Sequence, residues 1–335
     1  MADTHSVLWT LDHIRLDGDL RPRLEVDRLE IAAGRTAVLG ASGAGKTSLL
    51  NLLIGFERPG QGQLDSSLET QAQRLPLFWI PPDGGLWPQA TALDHLRAVL
   101  PRGSDDLRAP SLLSRFGLQQ RQHATPSQLS AGEQSRLAVA RGLAADASVL
   151  VADEPLVHVD PARRDEDWET LVQETRTRNT SLVFSTHAPE QVLRHADRVV
   201  VLARGRVIAA GEVASLYARP PSREVAESLG PVNWFEPEQA DAWGIPAPAP
   251  APAPSPSPSH LRAVGLRPEQ ILFELDPSGP LRVLDSRAIG PLGETTLECL
   301  ADDSQRRIRH LADAAGPATG QRLRIGIRGP DGTDD

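Results

Sequence analysis

The segment Gly40-Ala41-Ser42-Gly43-Ala44-Gly45-Lys46-Thr47 fits G-x-x-x-x-G-K-[ST] at every required position. Its chemistry is phosphate binding. Small residues let successive backbone N–H groups close around phosphate oxygens. Lys46 reaches the β- and γ-phosphates, the Thr47 hydroxyl ligates Mg²⁺, and Ser48 follows in the same cradle. A second constellation lies downstream in Val149-Leu-Val-Ala-Asp153-Glu154-Pro155, an apolar run ending in two carboxylates. Asp153 is placed to hold Mg²⁺, and Glu154 to polarise an attacking water as a general base. Standing alone, such a pair is an ordinary solvated strand end; downstream of a phosphate cradle it reads as part of a nucleotide machine.

These residues need a scaffold that brings them together. Thr36–Gly40 reads as a buried strand entering the glycine-rich loop, and Thr47–Ile54 as a helix leaving it, its N-terminal dipole facing the phosphates. From there to about residue 212, apolar strand-like runs alternate with helical stretches, the pattern of an α/β domain. Ser148–Asp153 is one such strand. Thr180–His187 is another, ending in a histidine, and 197–211 reads as a hairpin. Residues 212–235 look like a helical tail.

Composition then changes sharply. Ile245–Ser259 is a Pro-Ala and Pro-Ser repeat, a semi-rigid spacer with little means of burying a core. Beyond it, short strand-like runs at 271–275, 281–284, 295–300 and 322–327 are separated by Gly, Pro and Asp, which predicts a small β-rich domain. The expected organisation is an ATP-binding domain over 1–235, a linker over 236–259 and the β-rich domain over 260–335.

The balance of the whole chain narrows the function. A net charge of −9 in 335 residues argues against a nucleic-acid binder. With Cys299 as the single cysteine, no intrachain disulfide is possible and a reducing compartment is expected. No apolar run approaches the ~20 residues that cross a bilayer, and the N-terminus lacks signal-peptide regions. Any membrane role must come through partner subunits.

Leu129-Ser130-Ala131-Gly132-Glu133-Gln134, followed by a helix rich in Arg and Ala, resembles the L-S-G-G-Q/E signature of ABC-type ATPases, and its distance ahead of Asp153 matches too. A plainer reading, Ser130 as the N-cap of an ordinary helix, is compatible with it, since a capped helix N-terminus is itself a phosphate donor site. Asp160 matches the family's D-loop aspartate and His187 its switch histidine. The resemblance implies that Ser130, Gly132 and Glu133 of one subunit contact the γ-phosphate held by the other, with two nucleotide sites at a homodimer interface. Ala263-Val-Gly-Leu-Arg-Pro-Glu269 and Gly290-Pro-Leu-Gly-Glu-Thr-Thr296 resemble the OB-like transport-associated domain of importer subunits. The implied fold is an α/β P-loop ABC-type ATPase domain followed by a small OB-like domain. The implied activity is ATP hydrolysis powering import of inorganic anions, iron(III), polyamines or sugars. Integral membrane permease subunits and a solute-binding protein are the implied partners, and the cytoplasmic face of the membrane the implied location.

Three departures from that pattern stand out. The position four residues ahead of Leu86-Trp87-Pro88, where the family carries its Q-loop glutamine, is Pro82. Proline has no side-chain amide and stiffens a loop that normally couples ATP binding to the membrane subunit. The region 14–20, where the family stacks an aromatic on adenine, has no aromatic residue; Trp9 and His13 nearby read as structural. Ala131 replaces the first signature glycine, which is mild only at negative φ. The competing readings are a soluble ABC-type ATPase of DNA repair or translation, opposed by the single P-loop and acidic balance, and a regulatory subunit with weak catalysis, motivated by Pro82.

Overall fold

The computed structural model describes residues 6–18, 21–68, 74–245, 263–312 and 316–328. The chain divides into two compact units, 1–216 and 217–335.

The first unit is built on a nine-stranded sheet. Its elements are β1 (Val7–Leu16), β2 (Leu24–Ala32), β3 (Arg35–Leu39), α1 (Lys46–Leu53), β4 (Gln61–Ser66), β5 (Leu77–Ile80), α2 (Ala92–Arg97) and α3 (Arg108–Arg115). They continue with α4 (Ala131–Ala144), β6 (Val149–Ala152), α5 (Pro161–Thr177), β7 (Ser181–Thr186), α6 (Pro189–His195), β8 (Arg198–Ala203), β9 (Arg206–Glu212) and α7 (Val213–Ala218), in which the first unit ends. The strand order is β4-β1-β2-β9-β8-β3-β7-β6-β5. Strands β8, β3, β7, β6 and β5 run parallel, and β1, β2 and β4 form an antiparallel flank. The central strands are continuous apolar runs because helices cover both faces of a parallel sheet; Val149, Leu150, Val151 and Ala152 of β6 are all buried. The flank instead alternates, with Trp9, Leu11, Ile14 and Leu16 of β1 buried between polar neighbours. Parallel pairing sends the carboxyl ends of β3, β6 and β7 to one edge of the sheet, with Leu39 opposite Thr186 and Ala152 opposite Phe184. Three loops bearing the predicted chemistry leave from that edge.

The second unit contains α8 (Arg223–Ser228), β10 (Asn233–Phe235), α9 (Pro237–Ala242), β11 (Val264–Leu266), β12 (Ile271–Leu275), β13 (Leu281–Ile289), β14 (Leu292–Cys299), β15 (Gln305–Leu311) and β16 (Arg322–Ile327). An antiparallel sheet of order β12-β16-β13-β14-β15 and the small pair β10-β11 make it the β-rich unit expected. The boundary differs from the composition break. Phe235, Trp243 and Ile245 are buried with Leu281, Leu297 and Ile325 in the core of this unit, so 236–245 is not spacer. Residues 217–231 are held to it by Arg267. Its buried guanidinium donates to the carbonyls of Tyr217, Ala226, Gly230 and Pro231 and lies 4.1 Å over the Tyr217 ring. The remaining expected linker, 246–259, lies outside the described residues.

Candidate functional site

The glycine-rich loop joins β3 to α1. Its three glycines answer to two different demands. A Cβ on Gly40 would lie 2.6 Å from the Leu202 carbonyl oxygen, whereas Gly43 (φ +76°) and Gly45 (φ +102°) occupy the left-handed backbone region. An added Cβ at Gly43 meets nothing within 4 Å, so the loop is open at that exposed residue. No side chain caps the N-terminus of α1, which leaves its first backbone N–H groups for a ligand. Ala41, Ser42 and Gly43 are exposed, Ala44 is buried, and Ser48 is half-buried on the first turn of α1. The Lys46 side chain is buried and turns back on the loop, donating to Gly40 O at 2.9 Å and Ala41 O at 3.2 Å, with Glu154 Oε1 at 3.3 Å.

The carboxylates stand beside it. Thr47 Oγ1 donates to Asp153 Oδ2 at 2.6 Å, and Asp153 is buried. Ser185 on β7 donates to the other Asp153 oxygen and accepts from the Glu154 backbone N–H at 2.9 Å. Glu154 has φ +48°, an uncommon conformation for a residue with a side chain, and Leu156 follows at φ +63°. His187 Nδ1 donates to Glu154 Oε1 at 3.2 Å. Burial pushes the Glu154 carboxyl up, but the hydrogen bond from His187 and the charge of Lys46 outweigh it. The group is held below the ordinary glutamate range and is a carboxylate at neutral pH. Lys46, Thr47, Asp153, Glu154 and His187, all singled out in the sequence, therefore lie in one connected cluster. Ser185 was not singled out there, although it tethers both carboxylate residues.

The signature residues form a separate group. Ser130 is the N-cap of α4, its Oγ accepting from Glu133 N–H at 3.2 Å while Glu133 Oε2 accepts from Ser130 N–H at 2.8 Å. Those backbone bonds, with Arg121 Nε 3.3 Å away, keep the Glu133 carboxyl below its usual range against the opposing pull of burial. Gly132 is where a Cβ would press to 3.1 Å on the His158 carbonyl oxygen of the loop before Asp160. Ala131 begins α4 and has no positive φ, so the missing signature glycine is tolerated there. Asp160 caps α5, accepting from Ala162 N–H at 3.2 Å. Among the described residues, no hydrogen bond joins this group to the glycine-rich loop.

The Pro82 loop carries a different connection. Asp83 Oδ1 accepts from Gly85 N–H at 3.0 Å. Arg141, buried on α4, donates to Gly84 O at 2.8 Å and Gly85 O at 2.6 Å, with Phe78 and Trp87 rings 5.7 and 5.3 Å from its guanidinium. Trp9, considered near the adenine region, is in the core and donates to Leu53 O at 3.1 Å; His13 is exposed at an irregular point of β1.

The family described as ABC transporter matches residues 25–157. An Fe(3+) ions import ATP-binding protein of Serratia marcescens is 29% identical over 323 residues, spanning 91% of this chain and 93% of that protein. One from Pectobacterium atrosepticum is 30% identical over 241 residues, 69% of this chain and 68% of that protein. A sulfate/thiosulfate import ATP-binding protein of Chromobacterium violaceum is 35% identical over 225 residues, 64% and 62% of the two chains. The solved structure of an ATP-binding subunit of an ABC transporter superposes with a TM-score of 0.55 at 22% identity, covering 66% of this chain and 99% of that one. With that kinship and a P-loop fold whose sheet edge gathers the cradle, carboxylates and histidine, the chain belongs to the importer-type ATP-binding subunits of the ABC transporter family and is an ATP hydrolase.

Proposed function

We propose that this chain hydrolyses ATP as a homodimer and so drives solute import through integral membrane permease subunits fed by a solute-binding protein. The observation that carries this reading is the cluster joining Lys46, Thr47, Asp153, Glu154 and His187 at one sheet edge. The loop, open at Gly43, and the uncapped start of α1 fit a polyphosphate. Thr47 and Asp153 would hold Mg²⁺, whose charge offsets that of the phosphates; one carboxylate and one hydroxyl suit an ion that takes most of its ligands from water and substrate.

Among the described residues, the partners of Lys46 are backbone carbonyls and Glu154. Phosphate oxygens would replace these contacts and release the Glu154 carboxylate to accept a proton from the attacking water. His187 would orient that carboxylate. Ser130, Gly132 and Glu133, with Asp160, would complete the site of the opposite subunit. Relatives named for iron(III), molybdenum, sulfate/thiosulfate and spermidine/putrescine import support a solute of that group, and permease partners would hold the chain at the cytoplasmic face of the membrane. Among the described residues no helix is long and apolar enough to cross a membrane.

The expected result for Glu154→Gln is a fall in Mg-ATP turnover of about 10²-fold or more, with an ATP-trapped dimer visible by light scattering. Undiminished turnover in that variant would remove Glu154 from the role of base. Pro82 sustains a second reading, a regulatory subunit of slow turnover, since proline has no side-chain amide to stand in for the glutamine. ATP binding by the wild type with neither turnover nor dimer would favour it.

A further inference from the structure

A single buried hydroxyl bridges the two carboxylate residues of the site. Ser185, near the end of β7, is fully buried. Its Oγ donates to Asp153 Oδ1 and accepts from the Glu154 backbone N–H at 2.9 Å. A hydroxyl has one proton to give and lone pairs to receive, so it serves both partners at once. The parallel register sets up the bridge. Val151 pairs with Val183 and Ala152 with Phe184, which leaves Asp153 and Ser185 level at the sheet edge.

Glu154 is held at three points. Its N–H is taken by Ser185, and its carbonyl accepts from Val157 N–H at 3.3 Å, closing a turn in which Leu156 is also left-handed. Its carboxylate faces Lys46 Nζ at 3.3 Å and His187 Nδ1 at 3.2 Å. A left-handed residue with a side chain persists only where its surroundings over-determine it. Return of φ from +48° to the ordinary negative region would swing the side chain away from Lys46 and His187. The three holds differ in durability. Lys46 is drawn off by phosphate oxygens, and the His187 side chain is 53% exposed. The bond from Glu154 N–H to Ser185 involves no group that a phosphate chain claims.

We propose that Ser185 is a positioning residue for ATP hydrolysis. Its hydroxyl fixes the Glu154 backbone in the conformation that aims the carboxylate at the attacking water, and it holds Asp153 by the oxygen opposite the one Thr47 uses. The proposal rests on Glu154 as the general base. Ser181, at the other end of β7, provides the matched structural control, since its Oγ accepts from Gly34 N–H at 3.2 Å.

The test is single-turnover and steady-state Mg-ATP hydrolysis by the full chain. Ser185→Ala is expected to lower kcat about tenfold or more, with the KM for ATP within about threefold of wild type. Ser185→Cys, which keeps the strand filled but offers a weak acceptor, falls likewise and guards against a folding defect of the alanine variant. Ser181→Ala turns over as wild type does. In the Glu154→Gln background, Ser185→Ala lowers the residual rate by less than about threefold, because a residue acting through Glu154 has nothing left to position. Amide exchange of the 153–157 turn, measured without nucleotide, quickens in Ser185→Ala and not in Ser181→Ala. An undiminished kcat in either Ser185 variant, an equal fall in Ser181→Ala, a full further fall in the Glu154→Gln background, or unaltered exchange of the turn overturns this proposal alone. Undiminished turnover in Glu154→Gln, or none in the wild type, overturns the reading of Glu154 and this proposal with it.

Discussion

Asp167 on α5 is fully buried, and neither carboxylate oxygen has a hydrogen-bond donor among the described residues. Burial pushes its pKa up to about 6 despite the pull of Arg163 on its own helix and Arg136 from α4, with Glu166 adding to the rise. A carboxyl whose folded pKa is raised contributes stability below its ordinary value, and that contribution is lost as pH rises through about 6. Asp167→Asn removes the buried charge without changing the shape. The variant is expected to gain about 1–2 kcal/mol over wild type at pH 7.5 and nothing at pH 4.5. Paired thermal melts at the two pH values check this, and an equal shift at both would dismiss the titration account. At this scale the P-loop and the Asp153-Glu154 pair stand out in the sequence through local spacing and context, and His187 only through the family resemblance. Ser185 is not. A serine in a strand has many ordinary roles, and only the parallel register of β6 and β7 sets it against Asp153 and Glu154.

Helix α4 links two regions that the sequence treats separately. Its first turn carries the signature and its last turn carries Arg141, whose fork clamps the Gly84 and Gly85 carbonyls of the loop containing Pro82. Both glycines have positive φ, at 73° and 57°, so the loop is held in a shape that needs its tether. Arg141→Ala should destabilise the chain by about 2–4 kcal/mol, since two charge-assisted bonds vanish and the carbonyls stay partly buried. Arg141→Lys should recover only part of this, because an ammonium cannot span both oxygens. Urea midpoints of the three proteins decide; a lysine variant equal to wild type would mean that charge alone matters. The clamp is invisible in sequence, where Arg141 is one of several arginines on a helix. Strand β15 escapes notice for a related reason. Gln305-Arg-Arg-Ile-Arg-His-Leu311 is dense in charge because it is an edge strand, so its period-two burial of Ile308 and His310 is easily taken for a polar loop.

At the scale of the molecule, composition and packing place the domain boundary differently. The Pro-Ala repeat begins near residue 245, yet the packing changes between Leu216 and Tyr217. Boundaries follow burial, and Phe235, Trp243 and Ile245, at or ahead of the start of the repeat, belong to the β-rich core. A fragment of residues 217–335 is therefore expected to unfold cooperatively on its own. A fragment starting at 246 lacks Phe235, Trp243 and Ile245, each worth about 2–5 kcal/mol in a core, and should be unfolded. Circular dichroism melts of both fragments test the division; a cooperative melt from the shorter one would restore the boundary to the repeat. The α/β and β-rich classes themselves are legible, because apolar runs and glycine-rich punctuation record element type more faithfully than they record which unit an element joins.

The left-handed backbone at Glu154 has a consequence for how this protein can change over time. Glycine would sit there without strain, so drift under selection for stability alone leads away from the residue that supplies the carboxylate. If Glu154 is the base proposed above, copies freed from transport would shed this position early, and its retention would mark a lineage still under selection for turnover.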